Sequence, residues 1–357
     1  MNKEIYYQYF FLIVFALLFA FLLWSVNSYA QTTTIPDANF EQALINLGYD
    51  TGPINGNVPT ANISSADSLI VSFRNISDLT GIEDFAALTY LNCGANQLSS
   101  LDVNNNTALT NLLCTNNQLI DLHISNNAAL TYLNCFGNEL KSLDVSNNTA
   151  LLDLTCSWNH LTSLDVSNCS ALRTLFCDMN LLTSLDVNGA GVLTDINCGF
   201  NQLNFLDISG SNALTILYCN NNQLTNLDVQ NNNNLINLNC RSNQLTCLNV
   251  KTGNYLNFNF SALDNPNLSC IEVDDLAWAN ANWISNWYID PTTSFSEDCN
   301  YPAGCWIVGI EEEPPTIDKE LLTITDILGR TTLPTPNTLM FYIYDDGSVE
   351  KKIQLER

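Results

Sequence analysis

The sequence predicts a solenoid, in which coils of 21 residues stack and one short strand from each joins a parallel β-sheet along one face, with little helix. Three observations predict it. Cys93, Cys114, Cys135, Cys156, Cys177, Cys198, Cys219 and Cys240 are each separated by 21 positions. Around them one pattern returns eight times with little variation, Leu-x-x-Leu-x-Cys-x-x-Asn-x-Leu-x-x-Leu-Asp-Val-Ser-Asn-Asn, as from Leu130 to Asn148. The third observation is energetic. One unit offers about six core side chains, each contributing about 2 kcal/mol when buried, whereas fixing each backbone residue costs about 1 to 2 kcal/mol. A single coil therefore cannot fold alone, and stacking must complete its core.

The elements follow in chain order. Residues 1–30 read as an export signal: Lys3 opens it, residues 10–24 are a nearly unbroken apolar run, and Ser28-Tyr29-Ala30 supplies small residues for cleavage before Gln31. The apolar run is shorter than the ~20 residues a membrane span prefers, so no membrane insertion is expected after cleavage. Residues 31–68 form an N-terminal cap. Phe40, Ala43, Leu44 and Leu47 have helical spacing and Gly48 stops the helix.

Residues 69–260 are the solenoid, with 63–88 a degenerate lead-in. Within Leu-x-Cys the period is two, so Leu133 and Cys135 share the inner side of a strand and Asn134 faces out. The column Asn96, Asn117, Asn138, Asn159, Asn180, Asn201, Asn222 and Asn243 lies three places after each cysteine. An amide there has donors and an acceptor for the backbone groups freed where the chain leaves the strand. The pattern resembles the leucine-rich repeat, Leu-x-x-Leu-x-Leu-x-x-Asn-x-Leu, with cysteine in the third apolar slot. That resemblance implies a leucine-rich-repeat solenoid whose parallel sheet lines a concave face, and a role in attachment or recognition.

The cysteines divide. The eight of the repeat lack metal-ligand spacing. In-register neighbours on parallel strands keep their β-carbons about 5 Å apart, beyond the reach of a good disulfide, so buried free thiols are expected. Cys247, Cys270, Cys299 and Cys305 lie in or after the last coils, where disulfides can seal an end, and Cys270 with Cys299 is the preferred pair. Cys169 replaces a turn asparagine and reads as an unpaired surface or turn thiol.

Residues 261–308 are the C-terminal cap, with Trp278, Trp283 and Trp287 expected to cover the last coil. Residues 309–318 contain the linker Glu311-Glu-Glu-Pro-Pro315. Residues 319–357 form a small β-rich module. Asp326-Ile-Leu-Gly-Arg330, and a hairpin turning at Asp345-Asp346-Gly347 before a basic-ending strand, are similar to the C-terminal sorting tails of Bacteroidetes cargo for type IX secretion. This resemblance implies the type IX machinery as a partner, and secretion or display on the outer surface of a Gram-negative bacterium.

Eleven Lys and Arg against 36 Asp and Glu leave a net charge of −25. Such a chain cannot neutralise phosphates, so nucleic acid is excluded as a partner. With two histidines in different columns and no nucleophile–base pair, the chain reads as no enzyme and as needing no cofactor. Function is expected on the concave face, where Tyr132, Phe136, Trp158, Phe176, Asp178, Asp195, Tyr218 and Arg241 form the candidate site for a protein or glycan ligand. A structural surface-layer component, or a non-catalytic module of a secreted enzyme system, is the alternative. Asp144, Asp165, Asp186 and Asp207 stack in a column that is a weak candidate for Ca²⁺, which needs six to eight oxygens.

Overall fold

The computed structural model describes residues 31–283, 288–301, 305, 321–325, 339–344 and 349–353. The expected export signal, the linker, Trp287, and residues 326–330 and 345–347 of the tail lie outside them. The chain divides into two units, Met1–Trp306 and Ile307–Arg357. In the second, Leu321–Thr325, Leu339–Tyr344 and Val349–Ile353 form an antiparallel three-stranded sheet with the middle segment central.

The first unit is a parallel β-solenoid. Its main sheet has ten three-residue strands, from Ser68–Ile70 through Tyr132–Asn134 and Thr174–Phe176 to Asn259–Ser261, each paired in parallel with the next coil. Leu112, Leu133, Leu154 and Leu175 are in-register neighbours, and all are fully buried. In eight successive coils the third core slot holds a buried cysteine without a disulfide. Burial deprives the thiolate of water and pushes the Cys93, Cys135, Cys198 and Cys240 thiols up to about 12. Where the geometry allows, the S–H points across the stack, as from Cys135 Sγ to Thr155 O at 3.6 Å.

Two amide ladders carry the turns. Asn138 Oδ1 accepts from the Leu119 N–H at 3.0 Å, while its Nδ2 donates to Cys114 O and Cys135 O, each at 3.0 Å. One side chain thus ties two coils. Asn265 repeats the arrangement with Leu245 N, Cys240 O and Ala262 O, so the ladder outlasts the cysteines. The second ladder was hidden among Asn-rich turns: Asn127 Nδ2 donates to Val103 O and Asn106 O, and Asn148 Nδ2 to Ile124 O and Asn127 O. Cys169 occupies this column. It is fully buried rather than at the surface, its thiol reaching Val145 O at 3.7 Å and Asn148 O at 3.9 Å. A position inside the stack admits no exposed side chain whatever its sequence neighbours are.

Opposite the main sheet, the Leu-Asp-Val segments make shorter parallel pairings, such as Ser163–Asp165 with Ser184–Asp186, and a four-stranded set from Asn226–Asp228 to Ser294–Ser296. The N-terminal helix spans Ala38–Asn46. Asp37 caps it by accepting the Asn39 and Phe40 N–H groups, and Phe40, Ala43 and Leu44 are buried. Leu47 is exposed, because the helix ends one residue before it and turns it off the apolar face. At the other end Trp283 packs on Phe260 at 4.8 Å and on Trp278 at 4.9 Å and is buried, which covers the last strand of the sheet.

The cap is closed covalently by Cys270–Cys299 and by Cys247–Cys305, with Cα separations of 6.0 and 5.9 Å. Loops of this length constrain the unfolded chain by about 4 kcal/mol each. The smaller loop is nested in the larger, so their effects are less than additive. Reduction should therefore lower the melting temperature and make residues 261–305 the first to be cut in limited proteolysis. An unchanged melt after complete reduction would refute this.

Candidate recognition face

The outer side of the main sheet is built by the residues on either side of each inward leucine and by the two residues after each cysteine. Tyr132 and Phe136 flank Leu133 and Cys135 and are half-buried. Phe176 and Tyr218 lie beside Leu175 and Leu217 and are 39% and 38% exposed. These residues face out because strand period two sends their neighbours inward.

The residue two places after each cysteine has a positive φ, between 51° and 67° at Ala95, Asn116, Gly137, Trp158, Met179, Phe200, Asn221 and Ser242. The cause lies in the stack. At this place the chain leaves the strand while its N–H still donates to the next coil, as Trp158 N does to Asp178 O at 3.0 Å and Phe200 N to Asn220 O at 2.8 Å. The left-handed turn aims the side chain away from the core, leaving Trp158 55% and Phe200 46% exposed. Phe136 and Trp158 meet with ring centroids 6.3 Å apart. The structure therefore brings Tyr132, Phe136, Trp158, Phe176 and Tyr218 onto one side of one sheet.

The charged candidates differ in setting. Asp178 accepts from Ser157 Oγ at 2.5 Å and Asp195 accepts from Thr194 Oγ1 at 2.7 Å, and both are half-buried. Arg241 is already engaged, its Nε donating to Asp264 at 2.7 Å. Sequence reasoning missed Phe73, which is 79% exposed at φ 57° and belongs to the same column one coil before Ala95. A 22-residue step from the lead-in coil displaces it from the 21-residue ruler.

The aspartate column lies on the side opposite the main sheet, with Asp165 and Asp186 in paired strands. Each carboxylate closes a turn in its own coil: Asp144 accepts the Ser146 N–H, Asp165 that of Ser167, Asp186 that of Asn188 and Asp207 that of Ser209, all at 2.8 to 2.9 Å. Hydrogen bonds from the Ser146 and Ser167 hydroxyls hold the Asp144 and Asp165 carboxyls below the usual carboxylate range. Among the described residues no cluster of three or more His, Cys, Asp or Glu is arranged to hold an ion. None of the helices in this set is long and apolar enough to cross a membrane.

No family model matches the sequence, and a search of the curated proteins also returns no match. Solved structures do match. The chain is similar to the functional domain of InlJ from Listeria monocytogenes, described as including a cysteine ladder, at 26% identity and a TM-score of 0.51 over 74% of this chain and 70% of that one. It is also similar to the Leptospira interrogans leucine-rich-repeat protein LIC12759, at 20% identity and a TM-score of 0.50, over 62% of this chain and 65% of that one. These neighbours are bacterial leucine-rich-repeat proteins, and the 21-residue coil with its parallel sheet and scarce helix is a leucine-rich-repeat solenoid.

Proposed function

We propose that this chain is an exported recognition protein that takes a macromolecular ligand, protein or glycan, on the outer face of its ten-stranded sheet. The observation that carries the reading is the gathering of Tyr132, Phe136, Trp158, Phe176, Phe200 and Tyr218 on that face, the last four more than a third exposed. Burying such rings against solvent-excluding partners is the main source of binding energy at interfaces. The likeness to a bacterial domain with a cysteine ladder supports a recognition role. The features of residues 1–30 and 319–357 support export and display at the outer surface of a Gram-negative cell through the type IX machinery.

Replacing Tyr132, Phe136, Phe176 and Tyr218 by Ala should abolish capture of the ligand from native surroundings while leaving the melting curve within a few degrees, because no replaced ring is fully buried. Undiminished binding by that variant would sink the reading of the face. Surface proteomics of the native cell, with and without residues 316–357, separately tests export and retention. A chain found only in the cytoplasm would sink that part.

A further inference from the structure

The recognition face carries a charge pattern that narrows its ligand. Asp153, Thr174 and Asp195 are in-register neighbours on three adjacent strands. Strands about 4.8 Å apart place the two carboxylates about 10 Å from each other along the stack. Asp178 lies on the same face, one place after Cys177. Among the described residues none of the three has a cationic partner: the ion pairs there are His123–Asp102, His160–Glu139, Arg241–Asp264 and Lys251–Glu272. Arg241, a cation of this face, is spent on Asp264, and exposed Arg173, beside Thr174, is in none of these pairs. On the same face Trp158, Phe176 and Phe200 are all exposed.

Resting on the reading of this face as a binding surface, we propose that its ligand is a basic polypeptide segment, with Lys or Arg side chains on Asp153, Asp178 and Asp195 and apolar side chains on the exposed rings of Trp158, Phe176 and Phe200. An extended segment in the polyproline II conformation has three residues per turn and advances about 3.1 Å per residue, so two cations three residues apart lie on one side, about 9 Å from each other, and match the Asp153–Asp195 step. The net charge of −25 draws such a segment in and repels anionic competitors over distances beyond contact. A neutral glycan would use the rings and amides and leave three carboxylates unneutralised.

The test is selection of a displayed library of random 12-residue peptides on the full chain, with anisotropy measurements on the enriched peptides at low and physiological salt. Enrichment of Lys or Arg spaced by three around an aromatic or Leu is expected, with affinity falling severalfold as salt rises. Asp153→Asn/Asp178→Asn/Asp195→Asn should weaken these peptides at least tenfold, and Trp158→Ala/Phe176→Ala/Phe200→Ala should do the same. Unchanged melting curves would show that both variants are folded. Neutral or acidic winners, no enrichment, or indifference to the aspartate variant overturns the basic-segment proposal. If the aspartate variant is indifferent but the ring variant loses binding, the face itself survives as the binding surface. If both variants bind as before, the reading of the face falls too. A panel of neutral oligosaccharides binding through the rings, without peptide binding, assigns the face to glycans and also overturns the proposal.

Discussion

Raising the pH from 8 to 10 is expected to unfold the solenoid at room temperature. The eight thiols of the repeat are fully buried, and desolvation holds Cys93, Cys135, Cys198 and Cys240 at about 12, with Cys114, Cys156, Cys177 and Cys219 also raised well above their ordinary value. An unfolded thiol titrates near 8.5. The folded state therefore keeps its protons where the unfolded chain releases them. Stability is complete below about 8.5 and is lost as pH climbs from there towards the folded value near 12. One unit above the unfolded pKa, each thiol favours the unfolded chain by about 1.4 kcal/mol. Eight together reach about 11 kcal/mol, the scale of a whole domain's stability. The sum hardly depends on the folded pKa, because all eight remain protonated in the stack at that pH. Circular dichroism against pH checks the result, and Cys156→Ala/Cys177→Ala should show a visibly shallower alkaline slope. A melting temperature that is flat between pH 8 and 10 would mean the column is not buried as described.

Asn180→Ala should cost about 3 to 4 kcal/mol, roughly 10 °C in melting temperature for a unit of this size. Asn180 Oδ1 accepts the Leu161 N–H at 3.0 Å, and its Nδ2 donates to Cys156 O, Cys177 O and Asp178 O at 3.0 to 3.3 Å. Alanine would leave an N–H and carbonyls of two coils without partners where water does not reach, and orphaned buried groups cost more than a hydrogen bond contributes net. Exposed Asn168, in the turn of the preceding coil, provides the comparison: Asn168→Ala should change stability by less than about 0.5 kcal/mol. Equal effects from the two substitutions in a denaturant titration would refute the ladder's role.

These expectations rest on features of unequal legibility. The coil length, the inward leucines and the Asn96-to-Asn243 column follow from spacing, because a repeat that cannot fold alone must present identical contacts at identical intervals. Tyr132, Phe136, Phe176 and Tyr218 of the candidate face were legible for the same reason: a strand's period of two separates outward from inward positions. Where the spacing slips by one residue, the reading weakened. Phe73 and Asn265 each stand one 22-residue step from the regular columns, and their roles emerge only from hydrogen-bond register. Leu47 was misplaced because helix periodicity does not say at which residue the last turn ends.

Composition and periodicity alone determined that this chain stacks 21-residue coils and that its cysteines serve different purposes. Three matters were decided only by the tertiary structure. Cys169 lies inside the second ladder and not at the surface, Cys247 pairs with Cys305 around the Cys270–Cys299 bridge, and a left-handed residue in every coil lifts Trp158 and Phe200 out of the sheet. The division has a physical reason. Periodic features repeat the same local interaction, so one coil reveals them all. Burial of a lone residue, cysteine connectivity and the backbone angle at a coil's exit depend on what the neighbouring coil places opposite, which the sequence order does not display.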